Sequence, residues 1–287
     1  MKELLIALLV IVVAPLLGGL LSGLDRVISA RMQSRVGPPI MQPFYDVFKL
    51  LGKEPLAANR RQVAWALAYL GLIIASLLLF SLGGDLLIIV FTMAFAAVAF
   101  VLGGFSVKSP YSHIGSQREL LQMLAYEPVL ILLAFGLYLH DGSFLVKDLA
   151  SQSRPLLTSL PLVFIALLII LTIKMRKSPF DLSTSHHGHQ ELVKGITTEY
   201  SGPYLALIEI THWYELVLVL GLVAMFWTSP WWMGIILALL AFFLELVIDN
   251  SCARLTWNYM LKFTWSSGLA LCLINLGWIL ARGKGVF

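Results

Sequence analysis

The chain has 287 residues, 59% of them hydrophobic and only 13% charged, with a formal net charge of +4. Ordinary globular chains carry about 25% charged residues, so a soluble enzyme, or a soluble domain on one anchor, is excluded. The small positive balance does not point to nucleic acid, and two cysteines, Cys252 and Cys272, twenty residues apart with no CxxC, cannot by themselves hold an iron–sulfur cluster or a four-cysteine metal site.

What remains is one polytopic membrane domain over residues 1–287. The first apolar run, about Leu4 to Leu24, is too long for a signal peptide and lacks a small-residue cleavage site, so it reads as a retained helix. A polar segment follows, Asp25 to Arg61, containing ARMQSRVGPP. Arg31 and Arg35 are four apart and share a face at helical spacing; Gly37-Pro38-Pro39 then ends any helix. Phe44, Val47, Phe48 and Leu51 recur at helical spacing with Asp46, Lys49 and Lys53 between them, which predicts a short helix lying in the membrane surface. The segment reads either as a cap on the bundle or as a docking, headgroup-facing loop.

Further apolar spans are predicted at 63–82, 86–105, 118–139, 157–174, 204–226, 231–249 and 264–281. The fold class is therefore all-α integral membrane, a bundle of about eight transmembrane helices with one in-plane amphipathic helix. No internal repeat stands out, which counts against a secondary transporter built from inverted halves. Loops after odd-numbered spans hold 15 Lys and Arg, against 5 on the other side with both termini. The positive-inside rule places the rich loops in the cytoplasm of a multi-pass inner-membrane protein and both termini outside. One elaborated face implies a cytoplasmic partner.

The functional reading starts at residues 178–215, SPFDLSTSHHGHQELVKGITTEYSGPYLALIEITHWYE, which cross from one apolar span into the next. They carry Asp181, Glu191, Glu199, Glu209 and Glu215, and four of the six histidines, His186, His187, His189 and His212. A charge at the centre of a membrane helix costs about 2.5–3.5 kcal/mol on insertion scales, so such groups often mark ion routes. Glu209, His212 and Glu215 are three and three apart, one polar stripe on a helix. They read as a proton relay, or as a helix end wetted near the headgroups. Glu127 sits inside the fourth span before Pro128, which frees the carbonyl of Leu124. That predicts a hydrated polar pocket, or else a kinked packing helix with Glu127 paired to a cation. Glu245 and Asp249, four apart near a helix end, share a face and could both reach the interface. The His-His-x-His loop, with Asp181 or Glu191 near it, could hold a divalent ion but reads first as a solvated loop, and no metal is assigned. No nucleophile–base arrangement, P-loop or dinucleotide fingerprint is present, so catalysis by this chain alone is not expected.

Several loops together resemble one family. ARMQSRVGPPIMQPFYDVFKLLGKE is similar to the first cytoplasmic loop of the H subunit (subunit 1) of respiratory complex I, through Arg31, Gln33, Arg35, Gly37 and Pro38. SHIGSQRELLQMLAYEP resembles its next cytoplasmic segment, through Gly115, Arg118, Tyr126 and Glu127. The run from Pro179, Phe180 and Asp181 resembles its Pro-Phe-Asp loop, matching Glu191, Leu192, Gly195, Glu199, Tyr200 and Glu209. HHGHQEL stands where complex I members have Gly-Glu-Ser-Glu-Leu. NSCARLTWNYMLKFTW replaces the family's Arg-Tyr-Asp-Gln run, keeping Arg254 and Trp265. Both departures look like the membrane-bound, energy-converting [NiFe] hydrogenases and formate hydrogenlyases, and the run STSHHGHQELVKGITTEYSG most resembles the Ech type.

That resemblance implies a membrane-anchoring, ion-coupling subunit with no redox centre of its own. The [NiFe] centre and [4Fe-4S] clusters are then expected in partners: hydrogenase large and small subunits, an iron–sulfur subunit and an antiporter-like membrane subunit. It also implies an ion pathway along Glu127, Glu199, Glu209, His212, Glu215 and Glu245. The coupling loops would carry Arg31, Gln33, Arg35, Arg118, Asp181, His186, His187, His189, Glu191 and Arg254. The other readings are a quinone-site H subunit of an NADH:quinone oxidoreductase and a passive membrane anchor.

Overall fold

The computed structural model describes residues 2–152, 154–180 and 194–281. Among these the chain is helical, with two isolated β-bridges, Ala57 to Tyr200 and Asp85 to Leu145, in place of any sheet. The helices are α1 (Lys2–Met32), α2 (Gln42–Leu51), α3 (Arg60–Ser81), α4 (Leu86–Phe105), α5 (Pro110–Asp141), α6 (Val146–Ala150), α7 (Leu156–Ser159), α8 (Pro161–Lys174), α9 (Gly202–Ala224), α10 (Trp231–Ser251), α11 (Trp257–Phe263) and α12 (Ala270–Ala281).

Their ends are set by local chemistry. The Asn59 side chain accepts from Arg61 N, and Asp85 Oδ1 accepts from the amides of Leu87 and Ile88, so α3 and α4 start on capped amides. Pro110 opens α5, where its missing N–H costs nothing, and Gly142 closes it in the left-handed region at φ 74°.

Among the described residues, seven helices are long and apolar enough to cross a membrane, counting Trp257–Ala281 as one. The predicted spans need four corrections. The first helix does not stop near Leu24 but runs to Met32, and the fourth starts at Pro110 rather than near 118. The last runs from Trp257 through a wider, π-helical stretch, Thr264–Leu269. The fifth is interrupted: α7 is one turn and α8 has 14 residues, about 21 Å of helix against a hydrocarbon core of about 30 Å. Overall apolar composition hides that break, because the stretch around Leu160-Pro161 is hydrophobic enough on average to read as one span.

The start of α8 is capped from another helix. Asn275 of α12 is buried; its Oδ1 accepts from the amides of Leu162 and Val163 at 2.9 and 3.3 Å. Its Nδ2 donates to Ser159 O at 3.1 Å, so one side chain joins both sides of the break. Backbone groups freed within a bundle must find such partners, since lipid supplies none.

The short helix α2 forms where expected, but its apolar residues divide. Val47 packs on Ala206 and Trp213, and the Phe44 ring lies 5.2 Å from that of Trp213. Phe48 and Leu51, predicted on the same stripe, are exposed instead. The helix thus leans on α1 and α9 and keeps a second apolar side outward.

The loops sort by end. The turn after α1, the segment after α8, the 195–202 segment and the chain after α10 gather at one end, and these are the cation-rich connections. Gly103, Gly104 and Gly115 make room there: a Cβ on Gly115 would collide with the backbone of Gly195 and Ile196, and one on Gly103 with the Tyr200 hydroxyl. Burial pushes the Tyr200 phenol above its ordinary pKa. The opposite end carries α6 and the α9–α10 turn.

Candidate functional site

The cation-rich end opens into a cavity of about 960 Å³ between α1, α9, α10 and the end of α8. Its walls hold six cationic side chains, Arg26, Arg35, Lys174, Arg176, Lys177 and Arg254, and four acids, Asp25, Glu209, Glu215 and Asp249. His212 lines it too, so the predicted Glu209–His212–Glu215 stripe forms a single wall.

Beneath that wall lies a buried ion cluster that sequence reasoning misses. Lys174 Nζ donates to Glu215 Oε1 at 2.9 Å, with both side chains almost wholly enclosed. Tyr69 Oη donates to Glu215 Oε2 at 2.9 Å, and Arg176 approaches the same oxygen at 3.6 Å. Arg176 also donates to Glu119 Oε1 at 3.0 Å, and the Lys174 ammonium sits 4.2 Å above the Tyr126 ring. Glu215 is therefore not a lone acid on the cavity wall; its carboxylate is the hub that holds two buried cations. Burying a charge is tolerable only with such pairing and hydrogen bonding.

The backbone at the end of α8 makes this possible. Arg176 adopts a left-handed conformation, φ 52°, and Lys177 N donates back to Thr172 O. Glycine usually takes that position after a helix. Here the strain turns the chain so that Lys174, Arg176 and Lys177 all face inward. Lys177 Nζ bridges Asp25 at 2.6 Å and Asp249 at 3.4 Å, and Asp249 also accepts from Ser178 N at 2.9 Å. Asp249 is thus a clamp between α1, α10 and the start of the Pro-Phe-Asp loop.

Two acids lie off the cavity wall. Glu127 stands within electrostatic reach of Lys174 and Glu215, and its Oε1 is buried with no hydrogen-bond partner among the described residues. Glu245 is fully buried and does not reach the interface, unlike the expectation for it. Neither of its carboxyl oxygens has a hydrogen-bond partner among the described residues. Thr172 faces Glu245, but its hydroxyl donates to Leu168 O at 3.1 Å.

The carbonyl that Pro128 leaves free within α5 finds a partner in another helix. Leu124 O, the acceptor Pro128 cannot serve, receives Trp265 Nε1 at 3.2 Å. Trp265 belongs to the π-helical stretch, whose wider turn packs against α5 with Gly268 next to Val129. The partner of this carbonyl is thus an indole.

The remaining predicted residues separate. Arg35 and Arg254 line the cavity, as does Gln33, whose amide donates to Asn250 Oδ1 at 3.0 Å. Arg31 does not share a face with Arg35: α1 ends at Met32, Ser34 turns left-handed at φ 57°, and Arg31 is left exposed. Arg118 is exposed on α5, and Glu199 follows the short 3₁₀ turn Gly195–Thr197, away from the cavity wall. Asp181, His186, His187, His189 and Glu191 lie outside the described residues. No group of three His, Cys, Asp or Glu at metal-binding spacing occurs among the described residues.

The NADH dehydrogenase family profile matches residues 4–280. Hydrogenase-4 component C of Escherichia coli K12 is 31% identical over 299 residues, covering 93% of this chain and 92% of its own length. Formate hydrogenlyase subunit 4 of the same organism is 30% identical over 295 residues, covering 91% and 92%. The H subunit of the NADH-quinone oxidoreductase of Thermomicrobium roseum is 28% identical over 302 residues, covering 88% and 87%. The fold is also that of a chain in the membrane-bound sulfane sulfur reductase, an archaeal respiratory membrane complex. That match has a TM-score of 0.87 at 23% identity and covers 97% of this chain and 100% of that one.

Proposed function

The chain belongs to the NADH dehydrogenase subunit 1 family, as a membrane subunit of the complex I-like and energy-converting hydrogenase group, and from that premise we propose that it couples a membrane-bound [NiFe] hydrogenase to ion movement. Its soluble partners would be the hydrogenase large and small subunits and an iron–sulfur subunit, docked on the cation-rich cytoplasmic end. An antiporter-like subunit would lie beside it in the membrane. The [NiFe] centre and [4Fe-4S] clusters would sit in those partners. The residues here do not fit such groups, since of the two cysteines Cys252 is exposed and Cys272 is buried in the bundle.

The observation that carries this reading is the order of the acids. Glu209 faces the cavity, Glu215 is bound to Lys174, and Glu127 stands within electrostatic reach of Lys174, its Oε1 without a hydrogen-bond partner among the described residues. A proton passed from the cavity through Glu209 and His212 to Glu215 would cancel the charge that holds Lys174. The ammonium would then draw on Glu127, which releases its own proton onward. Each step trades one ion pair for another, so no unpaired charge is left in the low-dielectric interior. Sodium could replace the proton as the ion moved.

The test is the whole complex in sealed vesicles. Glu209→Gln is expected to assemble and evolve hydrogen but to build no ion gradient; a normal gradient would remove Glu209 from the path. A second reading, a quinone-site subunit, draws on the Thermomicrobium relative and on the size of the cavity. Ten charged side chains on the wall argue against it, because an isoprenoid tail would have to desolvate them. Quinone-dependent, inhibitor-sensitive activity of the purified complex would decide in its favour.

A further inference from the structure

A second cavity, of about 600 Å³, lies at the opposite end of the bundle and plays no part in the coupling reading. That volume is in the range of small-ligand sites, about 300–1,000 Å³. Its inner wall is apolar, made by Ile6 of α1, Phe80 of α3, Gly221 of α9 and Met225 just past the end of α9. Its mouth is not: Glu3 and Lys147 face it with opposite charges. The level of the mouth is fixed by helix ends, since α1 begins at Lys2, α3 ends at Ser81, α9 ends at Ala224 and α10 begins at Trp231. Trp227 and Trp231 stand at the same level, and Trp231 and Trp232 are exposed. Tryptophans at the ends of membrane helices mark the headgroup layer.

Lys147 is held there by the fold. The short helix α6 is pinned to the turn after α3 through Val146 N to Gly84 O at 2.9 Å and Lys147 N to Gly83 O at 3.3 Å. Val146 and Leu149 are buried, which leaves Lys147 exposed at the mouth.

We infer that this groove binds one glycerophospholipid with a primary-amine headgroup, in the leaflet opposite the cation-rich end. The phosphate would lie against Lys147, the ammonium against the Glu3 carboxylate, and the upper methylenes of the chains against Ile6, Phe80 and Met225. Opposite charges across one mouth match a zwitterion. A choline headgroup has no N–H to donate to Glu3, and a glycerol headgroup has no cation for it. A transmembrane helix of a partner subunit is the competing occupant, but it would offer neither charge its counterpart.

The test strips lipid from the purified complex with detergent and adds back phosphatidylethanolamine, phosphatidylglycerol or phosphatidylcholine, with native mass spectrometry of the released chain as the readout. One phosphatidylethanolamine is expected per chain. Binding should weaken about tenfold in Lys147→Glu, the scale of a lost charge-assisted hydrogen bond. Glu3→Gln should keep a lipid but lose the preference for ethanolamine over glycerol headgroups. Both residues are exposed, so neither change threatens folding. Equal binding of all three lipids, unchanged binding in Lys147→Glu, or a protein helix seated in the groove in a structure of the complex would each overturn the proposal.

Discussion

Lys174 ends a helix of apolar residues, and its ammonium is held between the Glu215 carboxylate and the Tyr126 ring. Removing one partner of a buried pair leaves the other charge uncompensated, at a cost of about 3–5 kcal/mol. Glu215→Gln is therefore expected to lower stability by that order, measured by chemical unfolding in detergent. Glu127→Gln, which removes no hydrogen bond at Oε1, should unfold at the wild-type midpoint. Unequal losses in that direction would separate the acid that holds the structure from the acid free to exchange an ion. The acids themselves are legible in the sequence, because carboxylates in apolar runs are rare. Their cations are not. Lys174, Arg176 and Lys177 look like the basic flank that snorkels from any membrane helix. Nothing local shows that a left-handed Arg176 turns them inward, or that Glu215, 41 residues on, is waiting.

The helical hydrogen-bond ladder is interrupted twice, within α5 at Pro128 and between α7 and α8, and each interruption is served by a side chain from a distant helix. Trp265 serves the carbonyl freed by Pro128, and Asn275 serves the amides at the start of α8. Leaving a buried polar group without its partner costs about 1–3 kcal/mol. The bond from Trp265 to Leu124 O is exposed, so Trp265→Phe, which keeps most of the ring, is expected to cost only about 1 kcal/mol by the same unfolding measurement. Asn275→Leu orphans groups on both sides of the break and should cost more, with faster amide exchange confined to the first turn of α8. Exchange that rises equally throughout the bundle would contradict a local cap. Proline marks both breaks in the sequence, at Pro128 and Pro161. The partners lie 141 and 113 residues away in the strongest bonds, beyond any periodicity argument, and so the fifth span reads as unbroken from sequence alone.

The whole molecule is polarised. Counting Lys and Arg already assigns four loops to one end, and three of them, after α1, α8 and α10, line the cavity there. What the count does not supply is depth: Arg35 and Arg254 line a cavity that reaches down to the buried ion cluster. Charge reversal at Arg35 or Arg254 is expected to loosen a docked soluble arm, with retention on purification falling further as salt is raised. Retention that ignores both charge and salt would place docking elsewhere.

The ratio of ions moved to hydrogen formed, measured in sealed vesicles holding the intact complex, tests the proposed coupling role most directly. Glu127→Gln should leave hydrogen formation running while that ratio falls toward zero. A ratio equal to the wild type would show that the carboxyl beyond Lys174 carries no ion, and that the buried cluster only holds helices together.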